Sequence, residues 1–78
     1  MIQVDSVKAD SDFCLLLTFT DGARRRFDMR PYLHFPVFQR LENPGYFALA
    51  RVDYGTVTWP GEIDIAPETL YVKSIPVG

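Results

Sequence analysis

The chain has 78 residues, a net charge of −2 and a sequence pI near 5.1. A chain of this length buries only about 60 to 65% of its unfolded surface, which supports one hydrophobic core and excludes a second domain. The acidic balance gives no overall attraction to phosphate backbones or anionic membranes, so neither nucleic acid nor a membrane is expected as a partner. No run approaches the roughly 18 apolar residues of a membrane helix, and we expect a cytoplasmic protein.

Cysteine and histidine are too scarce for most site chemistry. Cys14 is the single cysteine and His34 the single histidine, so the chain can form neither an internal disulfide nor the four-ligand set of a structural zinc site. A nucleophile and base pair would need Cys14, which the strand pattern buries. The glycines are isolated turn formers rather than a phosphate-binding loop. We therefore expect no enzyme, no cofactor and no metal.

The first half of the chain predicts three strands. Residues 2–9 alternate and then shift phase, which indicates a strand with a bulge. The apolar run Phe13 to Phe19 predicts a central strand buried on both faces. Asp21-Gly22 favours a two-residue hairpin turn, because both residues tolerate positive φ. Residues 23–27 should then return antiparallel to the central strand.

The second half predicts short helices around a second hairpin. A helix or turn is expected over residues 28–33 and another over 37–41, before a proline and glycine stop. Residues 46–52 predict a strand or a mixed segment, and with the β-branched run Thr56 to Trp59 they predict the second hairpin. A brief extended segment over 63–65 then leads into a short helix over 66–71.

These elements predict an α+β fold, with a small, mostly antiparallel sheet built from two β-hairpins and short helices. We expect a single domain over residues 1–78, with an ordered core over 1–71 and a loose tail over 72–78. Every connection is too short to be an interdomain linker.

The order of short motifs along the chain matches a known family. These motifs are Phe19-x-Asp21-Gly22, Phe27-Asp28, Phe38-x-x-Leu41, Asn43-Pro44-x-x-Phe47 and Trp59-Pro60-Gly61-x-x-Asp64-Ile65-x-Pro67-Glu68-x-Leu70-Tyr71. From Val4 to Tyr71 the chain resembles the small bacterial family catalogued as domain of unknown function 2442. The resemblance implies a compact α+β fold, a bacterial or phage origin, and a gene arrangement similar to toxin–antitoxin pairs. It supplies no catalytic residue.

Arg24, Arg25 and Arg26, with Arg30 close behind, form the densest charge in the chain. On a strand, Arg24 and Arg26 would share one face, and Arg25 would share the other with Phe27. A solvated strand that protects a sheet edge explains this run without a site. The functional interpretation is an anchor for an acidic partner or for phosphate, since arginine forms bidentate bonds with both.

A group of carboxylates marks the second half of the chain and offers an acidic patch that could imitate phosphates to a nucleic-acid-binding protein. Structural roles compete with this interpretation, because Asp64 precedes a helix that it could cap and Glu68 complements the helix dipole. Trp59 and Tyr71 are interpreted as core residues, because large aromatics dominate burial in small domains. The carboxylates are Asp53, Glu62, Asp64 and Glu68.

We predict a non-enzymatic protein-binding module, a small inhibitor or antitoxin-like protein that masks a surface of a partner protein. That partner could be the adjacent gene product or a nuclease complex. One alternative is a nucleic-acid-binding accessory protein that uses Arg24 to Arg26 and Arg30, and a second is a small enzyme with a carboxylate site near Asp64. A homodimer also stays open, because association would stabilise so small a core. The candidate contact residues are Arg24, Arg26, Arg30, Asp53, Glu62, Asp64 and Glu68.

Overall fold

Two antiparallel sheets organise the chain in the computed structural model, which describes residues 2–77. The predicted α+β class, with antiparallel strands and short helices, is confirmed. The strands are β1 (Val4–Asp10), β2 (Cys14–Phe19), β3 (Arg24–Asp28), β4 (Arg51–Asp53), β5 (Thr56–Trp59), β6 (Ile63–Ile65) and β7 (Ile75–Pro76). The α-helices are α1 (Pro44–Phe47) and α2 (Pro67–Lys73), and 3-10 helices cover Ser11–Phe13, Arg30–Tyr32 and Pro36–Glu42.

The first sheet has the strand order β1-β2-β3-β7 and is built around β2. Leu15, Leu17 and Phe19 point inward from β2 and are at most 2% exposed. Leu16 and Thr18 point outward and stay partly accessible, so β2 is not buried on both faces as the apolar run predicts. The predicted bulge is present in β1, where the register with β2 shifts between Val4 and Ser6. The first sheet therefore has one core face and one solvent face.

The turn between β2 and β3 is a three-residue loop rather than the predicted two-residue turn. The Gly22 N–H donates to the Phe19 carbonyl at 2.9 Å, and the Phe19 N–H donates to the Ala23 carbonyl at 2.9 Å. The positive φ of this turn falls on Gly22, at +86°, which is the glycine-bulge geometry of such loops. The Asp21 carboxylate accepts from the Ala23 N–H at 2.9 Å. This bonding fixes where β3 and its arginines begin.

The second sheet has the order β4-β5-β6 and contributes residues to the same core as the first. Trp59 of β5 is 1% exposed and its indole N–H donates to the Phe47 carbonyl at 2.9 Å, which is the structural role predicted for it. The Val4 N–H donates to the Gly55 carbonyl at 2.8 Å and joins the two sheets. Buried residues from both sheets, from α1 and α2 and from the intervening segments form one cluster: Val4, Leu15, Leu17, Phe19, Phe27, Met29, Leu33, Leu41, Phe47, Val57, Trp59, Ile63, Ile65 and Leu70.

The end of the chain differs from the predicted loose tail. Helix α2 continues through Lys73, and β7 then pairs antiparallel with β3, placing Ile75 opposite Arg26. The Val77 N–H donates to the Arg24 carbonyl at 2.9 Å and extends this pairing. Residues 72–73 therefore belong to α2, and residues 75–76 belong to the first sheet.

Candidate functional site

The outward face of the first sheet is ordered into three cross-strand rows. Strands β1, β2 and β3 pair in a register that places one outward residue of each strand in every row, with strands about 4.8 Å apart. The first row holds Ser6, Thr18 and Arg24, the second holds Lys8, Leu16 and Arg26, and the third holds Asp10, Cys14 and Asp28. We call the first two rows, which hold three cations and no carboxylate, the basic rows.

The three cations of the basic rows stand at short, regular intervals. Arg24 and Arg26 are two residues apart on β3, so their Cα atoms lie about 7 Å apart, and Lys8 lies two strands from Arg26, about 10 Å away. A groove of about 190 Å³ opens beside the first row and is lined in part by Lys8, Arg24, Ser6 and Thr18. Ammonium, guanidinium and hydroxyl groups are the side-chain donors that proteins direct at phosphate oxygens.

Arg26 keeps its positive charge throughout the working pH range. Its pKa is raised above the ordinary arginine value, first by hydrogen bonding with the Cys14 side chain and further by attraction to Asp10 and Asp12. Cys14 itself is 4% exposed and lies buried in the third row. A guanidinium is effectively always protonated in proteins, so pH does not switch the charge of Arg26.

The charge of the outward face reverses at the third row, which holds carboxylates instead of cations. Arg30 forms an ion pair with one of these carboxylates. The Arg30 Nη2 donates to Asp28 Oδ2 at 2.8 Å and its Nε donates to Oδ1 at 3.0 Å. These bonds hold the pKa of Asp28 below its usual range and raise that of Arg30. Both side chains are well exposed, at 60% for Arg30 and 41% for Asp28. Arg30 is therefore partly neutralised by its neighbour, unlike Arg24 and Lys8.

Arg25 belongs to the opposite face, as strand alternation predicts. Its Nε donates to Ser74 Oγ and its Nη2 donates to the Ser74 carbonyl, both at 2.6 Å. The guanidinium carbon lies 4.8 Å from the centre of the Tyr71 ring. Arg25 therefore ties the end of the chain to β3, and it adds nothing to the basic rows.

Three of the four candidate carboxylates lie together, away from the basic rows. Asp53, Glu62 and Asp64 line a groove of about 390 Å³ on the outward face of the second sheet, beside Arg51 and Thr58. Within residues 2–77, no group of three His, Cys, Asp or Glu side chains is arranged to hold a metal ion.

Glu68 lies apart from that groove. It lies in the first turn of α2 and lines a separate apolar depression, together with Ile2, Tyr71 and Val72. Asp64 and Glu68 therefore line different cavities and do not share a site. Lys8 is not among the contact residues predicted from the sequence. Its outward position could have been predicted, because it lies between the inward residues Val7 and Ala9.

A family model described as a protein of unknown function (DUF2442) matches residues 4–76. The chain belongs to this family. The motif resemblance from Val4 to Tyr71 is thereby confirmed for this DUF2442 protein. No curated protein matches its sequence. Within the described part of the chain, no helix has the length and apolar character needed to cross a membrane.

The fold of this DUF2442 chain is similar to a crystal structure from Nitrosomonas europaea whose protein is named, provisionally, as DNA-binding. The TM-score is 0.84 at 19% sequence identity, and the match covers 95% of this chain. It covers 49% of the other protein, so this chain spans about half the length of that neighbour.

Two predictions are corrected by this comparison. The inhibitor or antitoxin-like role is wrong, because the similar structure is named for DNA binding. The expectation that nucleic acid is not a partner is wrong for the same reason. The physical error was to judge the surface from a net charge of −2, which averages a cationic face with an acidic groove.

Proposed function

We propose that this DUF2442 chain is a nucleic-acid-binding accessory protein whose contact surface is the basic rows. The observation that carries the proposal is the projection of Lys8, Arg24 and Arg26 from one hydrogen-bonded sheet face. Strands hold these side chains at fixed intervals, so less ordering is needed on binding than for cations on a flexible loop.

The energetics of such a surface come from the phosphate backbone. Each cation that neutralises a phosphate releases condensed counterions, which favours binding at low salt and weakens it as salt rises. Hydroxyls of Ser6 and Thr18 in the adjoining groove can donate to the same phosphates. With three cations the affinity is modest, which suits an accessory role.

The similar structure supports the proposal through its provisional DNA-binding name, for a protein about twice as long as this chain. We propose that this fold supplies a backbone-contacting surface in such a protein. We further propose that the chain acts in the cytoplasm, without catalysis and without a cofactor.

A charge-matched pair of double variants tests the proposal. Arg24→Ala/Arg26→Ala removes two cations from the basic rows, while Arg40→Ala/Arg51→Ala removes two exposed arginines outside the rows. Fluorescence anisotropy with a labelled DNA duplex at low salt should show about tenfold weaker binding for the first variant, from two lost phosphate contacts. The second variant should bind nearly as the wild type does. Equal losses in both variants, or no binding by the wild type, would overturn the proposal.

A further inference from the structure

We infer that the ligand of the basic rows is a nucleic acid duplex, contacted along its sugar–phosphate backbone and without regard to base sequence. This inference rests on the proposed function and specifies its ligand. It follows from which side chains the outward face carries, how wide that face is, and where its carboxylates stand.

The outward face lacks the side chains that bind single strands. Single-stranded nucleic acid is held by aromatic rings on which successive bases stack. The nine residues of the three rows include no aromatic residue, and neither does β7, which continues the face with Ile75. A splayed base would meet Leu16, Thr18 and the guanidinium groups of the rows, without an aromatic ring to stack on. The bases of the ligand are therefore better kept inside a duplex.

The face is also too wide to read bases inside a groove. The major groove of a DNA duplex is about 12 Å wide and admits a helix or a two-stranded ribbon. The four strands of the first sheet span about 14 Å between the axes of β1 and β7, before their side chains are added. Arginine and lysine can read guanine from within the groove, so it is the width of the sheet that keeps the cations of the rows from the base edges. The sheet must therefore lie across the backbone.

The third row sets the limit of the contact. Asp10 and Asp28 repel phosphates at that end of the face, and Asp28 engages Arg30. Phosphates are attracted to the end formed by Lys8, Arg24 and Arg26. The footprint is about three phosphates, one for each cation.

Exposed aromatic rings elsewhere supply the competing interpretation. His34 and Phe35 lie with their ring centres 4.3 Å apart, and Phe35 is 44% exposed. Both follow Arg30 in the chain and lie outside the rows. If bases stacked on this pair, the ligand would be a single strand, so Phe35→Ala separates the two possibilities.

The experiment compares one labelled DNA sequence as a duplex and as a single strand, together with duplexes of two unrelated sequences. Each probe is titrated with the full-length wild type, with Phe35→Ala and with Arg24→Ala/Arg26→Ala. We expect the duplex to bind about fivefold or more tightly than the single strand, because it presents twice the backbone charge per length. The three duplexes should agree within about twofold, because no base is read. Phe35→Ala should bind the duplex as the wild type does.

The inference is overturned if the single strand binds as tightly as the duplex, or if Phe35→Ala weakens binding. It is also overturned if one duplex sequence is preferred about tenfold, which is the scale of a base-specific contact. In those cases the proposed function survives as long as Arg24→Ala/Arg26→Ala also weakens binding. Absence of binding to every probe at low salt overturns the inference and the proposed function together.

Discussion

Arg25 and Ser74 are joined by two hydrogen bonds, through Nε to Oγ and through Nη2 to the carbonyl, each 2.6 Å long. Ser74 is 5% exposed and its hydroxyl donates in turn to the Tyr71 carbonyl at 2.9 Å. This link between β3 and the end of α2 places β7 beside Arg24 and Arg26. Arg25 therefore stabilises the sheet from which Arg24 and Arg26 project.

Arg25→Ala should lower the free energy of unfolding by about 2 kcal/mol, because hydrogen bonds from a charged donor contribute about 1.5 to 3 kcal/mol. Urea denaturation followed by Trp59 fluorescence measures this loss. Arg24→Ala is the control, since Arg24 is exposed, and it should change stability by less than about 0.5 kcal/mol. Equal stability of the two variants would show that the Arg25 bonds do not hold the end of the chain.

Asp28→Asn should strengthen duplex binding. The substitution removes a negative charge from the face and releases Arg30 from its ion pair, so one more phosphate contact becomes available and the salt dependence should steepen by about one unit. Stability should fall by no more than about 1 kcal/mol, because the pair is exposed. Anisotropy titrations at several salt concentrations measure both the affinity and the slope.

Arg30→Ala in the Asp28→Asn background is the matched control. It should cancel most of the added salt dependence, since Arg30 supplies the new contact. If affinity stays high without Arg30, removal of the carboxylate alone explains the gain.

Duplex affinity should be nearly constant around neutral pH, because arginine guanidinium groups stay protonated there. A pH-dependent affinity that His34→Gln abolishes would contradict this expectation. The measurement is anisotropy at constant ionic strength, with His34→Gln as the control variant.

Acid should weaken the fold through Asp28, among other carboxylates. Its pKa is lowered in the folded state by the hydrogen bonds from Arg30, so its stabilising contribution is present above the unfolded pKa of about 3.9 and is lost as the pH falls through the folded value. Asp28→Asn should therefore flatten the acid limb of stability against pH. An unchanged limb would show that the ion pair has no effect on folding.

Thr58→Val should stabilise the protein. Thr58 Oγ1 is buried and, within the described part of the chain, has no hydrogen-bond partner, so a valine of the same shape removes an unsatisfied polar group, a change of about 1 kcal/mol. Thr56→Val is the matched contrast on the same strand, because Thr56 Oγ1 donates to the Ile65 carbonyl. It should destabilise by about 1 to 2 kcal/mol. Thermal or urea unfolding of the pair decides the point, and a destabilised Thr58→Val would contradict it.

Local features of this fold could be predicted from the sequence. Strand alternation alone separates Arg25 from Arg24 and Arg26, and the phase shift in β1 marks its bulge. The family motifs span the region that the family model matches. Each of these features depends on neighbouring residues, where spacing and backbone preference decide the outcome.

Features that depend on distant pairing could not be predicted. Lys8 joins the basic rows only because β1 and β2 pair in a register that places it opposite Leu16. The docking of Ile75 depends on the bonds between Arg25 and Ser74, which are 49 residues apart. The net charge of the chain could not predict the basic rows either, because their cations are separated from the acidic groove only when the chain folds.

The salt dependence of duplex binding tests the central claim most directly. A plot of the logarithm of the association constant against the logarithm of salt concentration should have a slope of about −3 for the wild type, since each of three phosphate contacts contributes about −0.9. For Arg24→Ala/Arg26→Ala the slope should shrink to about −1, because one cation remains in the basic rows. A slope that is the same in both proteins would contradict the claim that these rows bind nucleic acid.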